Sequence, residues 1–400
     1  MATEAYIYDA IRTPRGKGKA GGSLYEVKPI DLVTNLLEAM KQRNDLDTSR
    51  VEDVIIATGE PVNEQGQNIA KTAITYSSWD NVTTGAQLHR YCAGGLDAVN
   101  LAAAKVMAGL EDMSAGGGVE SMSRLGIGAS GAAQGDAWTA MKTYGISQGL
   151  GADMIATMDG FSREDCDRYA VMSQQRAANA REQGYFKSLV PVVDMNGVTI
   201  LDNDEFIRPT TSLEGLAKLN PSFKMFNDFG HGDIARLKYP QLEEISNVHT
   251  PGNSSGIVDG ASLVLVGNEQ VGKDLGITPR ARIVSFAVTG TEPTIMLAGP
   301  APAAQKALAK AGLTMDDIDL VELNEAFASV VLRFQQIMKV SDDKINVNGG
   351  AIAMGHPIGA TGGMILGTLL DELERRGLKR GMATLCAGGG IGIATIIERV

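Results

Sequence analysis

Two stretches of this 400-residue chain carry the same order of elements at a constant separation of 267 residues. Residues 31–42, DLVTNLLEAMKQ, have helical periodicity and lead into LDTSRVEDVIIATG, whose Val54-Ile55-Ile56 reads as a buried strand. Downstream, APAAQKALAKAG supplies the helix and LTMDDIDLVELN the acidic turn and strand. Leu46 then matches Leu313, Val51 matches Ile318 and Val54 matches Val321. The same offset carries Cys92 to position 359, inside the glycine-rich run from Gly355 to Gly362. Both sites precede an apolar helix and a Gly-Gly-Gly segment. An offset held over several elements marks a duplication, and it predicts two similar halves that meet about a pseudo-twofold.

Each half alternates strands and helices, which favours mainly parallel sheet covered by helices. The segment between them has a different texture. It carries Ser130-Gly131 and Gly149-Leu150-Gly151 loops, and a helix opened by Ser162 with Asp165 three residues on as a capping box. We read it as an inserted loop domain. Strand-like patterning returns from Val258 to Val266. The expected division is 1–123 plus 257–279 for the first domain, 124–256 for the inserted domain and 280–400 for the second.

Charge narrows the ligand classes. Thirty-six Lys and Arg against 47 Asp and Glu leave a formal charge of -11, which argues against a general nucleic-acid or anionic-membrane surface. An anionic ligand therefore needs a local basic site. No apolar run approaches the roughly 18 residues of a membrane span. The three cysteines, Cys92, Cys166 and Cys386, are scattered and fit neither a disulfide framework nor zinc spacing. With no secretory signal pattern at the amino terminus and a carboxy-terminal ERV that is not a peroxisomal tripeptide, the expected location is cytoplasmic. Glycine is the compositional outlier at 48 residues, so its clusters show where backbone approaches something closely.

Four clusters carry chemistry. Cys92 lies in His89-Arg90-Tyr91-Cys92-Ala93-Gly94-Gly95, ahead of Leu96, Val99, Ala103, Val106 and Leu110 at helical steps. That places it in the first turn of an amphipathic helix, where unpaired N–H groups and the positive dipole end lower a thiol pKa from about 8.5. A cysteine filling space under the helix is the alternative. His356 stands on a tight loop between Gly355 and Pro357, shaped to let an imidazole act as a base. The duplication sets it in the element equivalent to that of Cys92. Cys386 precedes Ala387-Gly388-Gly389-Gly390 after a strand, so a second thiol lies beside backbone N–H groups able to hold an oxyanion. Asn324 and Glu325 end the strand Val321-Glu322-Leu323, with helix capping as the plainer reading. Two features are discounted. Gly16-Lys-Gly-Lys-Ala-Gly21 fits GxGxxG but opens no apolar helix, and His89, His231 and His249 have no metal-ligand spacing and read as surface or packing residues.

Taken together these blocks resemble the thiolase family, from Tyr6 to Val400. They are Ala10-Ile11-Arg12-Thr13-Pro14, the Cys92 block, Gly117-Gly118-Val119-Glu120-Ser121-Met122-Ser123, Gly252-Asn253-Ser254-Ser255-Gly256, Asn324-Glu325-Ala326-Phe327-Ala328, the His356 loop and the Cys386 turn. The resemblance implies a five-layered αβαβα fold of two duplicated halves with a loop domain over a coenzyme A site. It also implies reversible Claisen chemistry: 3-ketoacyl-CoA and CoA give acetyl-CoA and a shortened acyl-CoA.

Carried over by motif, Cys92 resembles the acylated nucleophile and His356 the base that makes its thiolate. Cys386 resembles the acid and base for the acetyl methyl carbon. Asn324 matches a residue that holds a water forming one oxyanion hole with His356, and the N–H groups of Cys92 and Gly388 match the other. Arg208 and Ser255 match CoA-binding positions, and Phe223 and Phe327 resemble pocket walls. The chain departs from the family where biosynthetic relatives read His-Met-Gly and it reads Ser147-Gln148-Gly149, near the acyl group. It also carries about 20 extra residues between Phe223 and Gly252, which reshape the acyl tunnel, dock a partner or only decorate the surface.

The expectation is a degradative thiolase of fatty-acid β-oxidation, with an acetoacetyl-CoA-specific acetyltransferase as runner-up. A non-catalytic acyl-CoA-binding protein, a papain-like hydrolase and a decarboxylating condensing enzyme are rivals; the last two have no need of a second thiol at Cys386. Coenzyme A is expected as cosubstrate with no permanently bound cofactor and no metal. Expected partners are acyl-CoA thioesters, further copies of the chain in a homodimer or homotetramer, and a β-oxidation enzyme.

Overall fold

A computed structural model describes residues 3–400, apart from the side chain of Gln134. In chain order the elements that build the site are β1 (Tyr6–Arg12), α1 (Pro29–Arg43), β2 (Asp53–Ala57), α2 (Ile69–Tyr76), β3 (Thr84–Leu88), α3 (Gly94–Met107), β4 (Met113–Ser121), α4 (Gln148–Asp159) and α5 (Arg163–Glu182). They continue with β5 (Val258–Gly267), β6 (Ala281–Gly290), α6 (Pro300–Ala311), β7 (Leu320–Leu323), α7 (Ala328–Met338), α8 (Thr361–Arg376), β8 (Arg380–Ala387) and β9 (Ile391–Arg399).

The duplication is written into the element boundaries. Asp53 of β2 and Leu320 of β7, Gly94 of α3 and Thr361 of α8, and Met113 of β4 and Arg380 of β8 all open their elements 267 residues apart. Sheet order repeats as well. Outward from the centre, one half runs β1, β5, β4, β2, β3 and the other β6, β9, β8, β7 and a bridge at Ile345. Polarity agrees strand for strand: β2 lies parallel to β3 and β4, and β7 parallel to β8 and Ile345, while β4–β5, β5–β1, β8–β9 and β9–β6 are antiparallel. The halves join where Tyr6 and Ile7 pair with Arg282 and Ala281.

Strand alternation assigns side chains to three cores. Along β5, Ala261, Leu263 and Leu265 face α1 and α2, while Val264 and Val266 face α3 and α8. Along β8, Met382 and Cys386 face α6 and α7, while Ala383, Leu385 and Ala387 face the central helices. The layers are therefore α1/α2, sheet, α3/α8, sheet and α6/α7. Local signals place the outer helices: Pro300 opens α6 and the left-handed Gly312 closes it, and Pro29 opens α1, whose Leu32, Val33, Leu36, Leu37 and Met40 are buried.

At the centre α3 and α8 cross with their starts in contact. A Cβ on Gly95 would lie 2.6 Å from the Gly359 carbonyl oxygen, and one on Gly362 only 2.0 Å from the Leu96 nitrogen. Gly95 and Gly362 are themselves 267 residues apart, so one small-residue position serves both sides of the crossing. Outside the repeat, α4 and α5 pack on the α6/α7 side, and Ser162 and Asp165 form the capping box that opens α5. Among the described residues no helix is long and apolar enough to cross a membrane.

Candidate active site

Cys92 sits in a one-turn 3-10 segment, Tyr91–Ala93, that feeds directly into α3. The preceding Tyr91 is held at φ +48, a left-handed conformation unusual for a bulky residue, with its ring against Gly388. Only 7% of Cys92 is exposed. Burial pushes its thiol up to about 12, and the Glu120 carboxylate adds to that; the nearby N–H groups of Cys92 and Gly388 and the Gln148 amide pull the other way. This corrects the expectation of a depressed pKa. The helix-start amides do act on the sulfur, but desolvation outweighs them. Cys92 keeps its proton at neutral pH and needs a base at the moment of attack.

That base is arranged on the equivalent element. His356 N–H donates to the Gly256 carbonyl at 2.9 Å, fixing the loop. Its Nδ1 is 2.6 Å from Thr361 Oγ1, and Thr361 in turn donates to the Pro357 carbonyl at 2.9 Å. The hydroxyl proton is committed, so Nδ1 carries the ring proton and Nε2 keeps its lone pair. Asn324 Nδ2 stands 3.4 Å from Nε2. Burial, aided by the Arg15 guanidinium, lowers His356 to about 3 and keeps it neutral. Arg15 is fixed by the buried Asp204, which also pairs with both terminal nitrogens of Arg12 at 2.8 Å.

The second thiol and Asn324 arrive on adjacent strands. Asn324 N–H donates to the Thr384 carbonyl at 3.0 Å, two residues before Cys386. Asn324 Oδ1 is buried with no partner among the described residues. Burial raises the Cys386 thiol, and the nearby Cys92 raises it further. After Cys386 the chain turns through Gly389 and Gly390 at φ +73 and +80, and a Cβ on Gly390 would lie 2.6 Å from the Thr291 carbonyl oxygen. Only glycine fits there, and the turn sends Gly388 N–H toward Cys92.

Two carboxylates that sequence reasoning did not assign hold these loops together. Glu120 accepts from Gly59 N–H, Gln65 Nε2 and Gly359 N–H, tying the Cys92 half to the His356 loop. Glu325, read as a helix cap, instead accepts from Tyr169 and Ser173 at 2.7 Å, Ile352 N–H at 3.0 Å and Asn346 at 3.2 Å. It anchors the stretch leading to His356.

Two cavities adjoin this set. One, of about 590 Å³, is lined by Cys92, Gly388, Gln148, Tyr91, His89, Glu60 and Met296. His89 is exposed, as expected, and stands at the rim of this cavity with its ring edge-on to Tyr91 at 4.7 Å. The other, of about 500 Å³, is lined by Arg208, Phe206, Phe223, Ser255 and, from the discounted glycine motif, Lys17 and Lys19. That motif is a basic wall: the short strand Gly16–Lys17 pairs with Val258–Asp259 and swings both lysines beside Arg208. It supplies the local basic site that the acidic chain required. Phe223, a wall of this second cavity, packs its ring on Gly149, next to Gln148 of the first. Phe327, expected as a second wall, is buried and meets the groove through Phe223, with ring centroids 5.7 Å apart.

The arrangement offers a nucleophilic thiol near two backbone N–H groups and the Gln148 amide, a neutral imidazole whose unprotonated Nε2 faces Asn324, a second thiol, and a basic groove. Family models described as the thiolase amino-terminal and carboxy-terminal domains match residues 5–231 and 277–399. A 3-ketoacyl-CoA thiolase of Cronobacter sakazakii is 40% identical over 406 aligned residues, covering 98% of this chain and 99% of the relative. One of Shewanella loihica is 40% identical over 408, covering 99% of each. The crystal structure of the Bacillus anthracis acetyl-CoA acetyltransferase superposes with a TM-score of 0.86 at 32% identity, over 100% of this chain and 99% of that one. The fold, the two matched domains and these full-length relatives agree: the chain belongs to the thiolase family.

Proposed function

We propose that this protein is a 3-ketoacyl-CoA thiolase that works mainly in the degradative direction, in fatty-acid β-oxidation. The observation that carries the reading is the pair of thiols, Cys92 and Cys386, brought to one site because β8 packs against the Tyr91–Ala93 turn that carries Cys92. In thiolysis the Cys92 proton passes to His356 Nε2 as sulfur attacks the ketone carbon. The alkoxide is held by the N–H groups of Cys92 and Gly388. The bond between C2 and C3 then breaks, Cys386 gives its proton to C2, and acetyl-CoA leaves. During this step Asn324, through a water, and His356 stabilise the enolate oxygen. The imidazolium reprotonates Cys386. In the second half CoA loses its thiol proton to His356, attacks the acyl-Cys92 thioester, and Cys92 recovers the proton. Coenzyme A is the cosubstrate, with Lys17, Lys19 and Arg208 for its phosphates, Ser255 and Phe223 for its arm, Phe327 behind them and Gln148 at the acyl group.

The 32% identity to an acetyl-CoA acetyltransferase supports a second reading, in which only the four-carbon substrate is cleaved. Thiolysis rates for 3-ketoacyl-CoA esters of four to sixteen carbons distinguish the two. Turnover of substrates longer than four carbons is expected; turnover of acetoacetyl-CoA alone sinks the first reading. We place the enzyme in the cytoplasm as a homodimer or homotetramer.

A further inference from the structure

Among the extra residues between Phe223 and Gly252, a helix Lys224–Phe226, a π turn Asn227–His231 and a helix Gly232–Lys238 form one unit. Phe229 and Gly230 leave helical geometry inside it, with Gly230 at φ 98. The kink returns His231 toward the start of α4, where Ser147 N–H donates to its Nδ1 at 2.8 Å. The Phe226 ring meets the imidazole edge-on at 5.5 Å.

This bond replaces a missing cap. Ser147 is the N-cap of α4, yet its side chain makes no capping bond, and Leu150 at N3 has no polar group to reach back to the cap N–H. An imidazole from the insert does so instead. The next residue, Gln148, lines the cavity of Cys92, and Gly149 lies under the Phe223 ring. The end of the extra stretch holds α4 again, one turn and a half later. There Asp153 accepts from Asn247 Nδ2 at 2.8 Å and from Val248 and His249 N–H at 3.0 Å. On the opposite wall, Tyr239 donates to Glu292, which also takes Thr294 and Ile295 N–H at 3.1 Å in the loop that carries Met296. Both Gln148 and Met296 line the Cys92 cavity. The extra residues brace it from two sides.

We propose that His231 is a positioning residue for acyl transfer: by accepting Ser147 N–H it holds the first turn of α4 so that Gln148 presents its amide to the Cys92 sulfur. An amide donor stabilises the thiolate over the thiol, so displacing it slows every reaction that begins with that thiolate. The inference rests on the role given to Cys92 and Gln148 above. An imidazole accepting at Nδ1 is neutral with its proton on Nε2. Asparagine places a carbonyl oxygen the same number of bonds from Cα as Nδ1 and keeps the acceptor; phenylalanine fills the space without one.

The test is the rate of Cys92 alkylation by iodoacetamide at pH 9, read by peptide mass, with the KM for coenzyme A measured alongside. His231→Phe is expected to slow alkylation at least about fivefold, since a hydrogen bond to a charged group is lost. His231→Asn stays within about twofold of the parent, and the KM for coenzyme A is unchanged in both. Ser147→Pro removes the donor and leaves the insert intact; with Ser147 at φ -60 its backbone suits proline, and it should reproduce the Phe variant. In a Gln148→Leu background, His231→Phe should add nothing. Parental alkylation in the Phe or Pro variant, equal impairment of the Asn variant, or effects that multiply with Gln148→Leu would each overturn the proposal. Failure of the functional reading looks different: the parent itself would gain no acyl adduct from acetyl-CoA.

Discussion

Nδ1 of His356 lies 2.6 Å from Oγ1 of Thr361, five residues on at the first position of α8, and the hydroxyl is already committed to the Pro357 carbonyl. Thr361 therefore dictates the tautomer of the base. Thr361→Val keeps the shape and removes the acceptor, freeing the ring to protonate at Nε2 and lose its lone pair toward Cys92. Acyl transfer should fall on the order of 10²-fold, the lower range for general base catalysis, while the KM for coenzyme A holds. Thr361→Ser should recover most of the rate. Equal activity in the Val variant removes the tautomer argument.

The resting thiol is protonated, which sets the pH behaviour. With Cys92 pushed up to about 12 by burial, the thiolate fraction climbs about tenfold per pH unit throughout the range in which the protein is handled. Alkylation of the free enzyme should rise log-linearly from pH 7 to pH 9 with no plateau. The sign is fixed because burial disfavours the charged form. A plateau below pH 8 means that a thiolate is already present in the resting state.

The two thiols should separate cleanly by mutation. Cys92→Ser is expected to abolish acyl-enzyme formation, because an alkoxide is inaccessible near pH 7. Cys386→Ser should still take an acyl group from acyl-CoA onto Cys92, yet lose carbon–carbon cleavage by at least about 10²-fold, serine being the weaker acid for the acetyl carbon. Intact-protein mass after acetyl-CoA, with thiolysis rates, reads both. Near-normal thiolysis in the Cys386 variant, or a stable adduct on Cys386 in the Cys92 variant, reverses the assignment.

What the sequence reveals and conceals follows the range of the forces involved. The repeat is legible because helix periodicity, turn chemistry and buried strands are local, and they recur from Asp53 to Leu320 and from Gly94 to Thr361. β5 and β9 correspond just as closely in the sheet, but their offset collapses because residues 122–257 stand between β4 and β5 while a three-residue glycine turn joins β8 to β9. The Cys92 pKa departs from its helix-start expectation for the same kind of reason: a helix start is visible in sequence, but the burial that outweighs it comes from the packing of both halves. Lys17 and Lys19 fall within a glycine pattern that opens no helix, so the sequence gives them no role. Their role depends on a two-residue strand pairing with Val258–Asp259, across more than half of the chain. His231 shows no signal in sequence, since its partner Ser147 is 84 residues away.

The basic wall gives an electrostatic prediction. Lys19→Glu should raise the KM for coenzyme A several-fold at low salt, with kcat nearly unchanged, because the lysine lies in the groove of Arg208 and away from the thiols. Raising ionic strength to about 0.5 M should narrow the gap between variant and parent, since an exposed charge pair is screened over a few ångströms. A KM insensitive to both changes places the phosphates elsewhere.

The crossing of α3 and α8 should tolerate no added carbon. At Gly362 a Cβ would lie 2.0 Å from the backbone nitrogen and 2.7 Å from the Cα of Leu96, and backbone cannot swing aside as a side chain can. Gly362→Ala must therefore push the helices apart, moving Thr361 and the Cys92 turn with them. The expected cost is about 3 kcal/mol or more, at the upper end for overpacking, and acyl transfer should fall along with stability. Gly126→Ala is the matched control: the residue is exposed, and its Cβ would meet nothing within 4 Å. It should stay within about 0.5 kcal/mol of the parent. Thermal melts of the two variants decide the matter, and a Gly362→Ala protein as stable as the control means that the central helices pack less tightly than their shared glycine positions require.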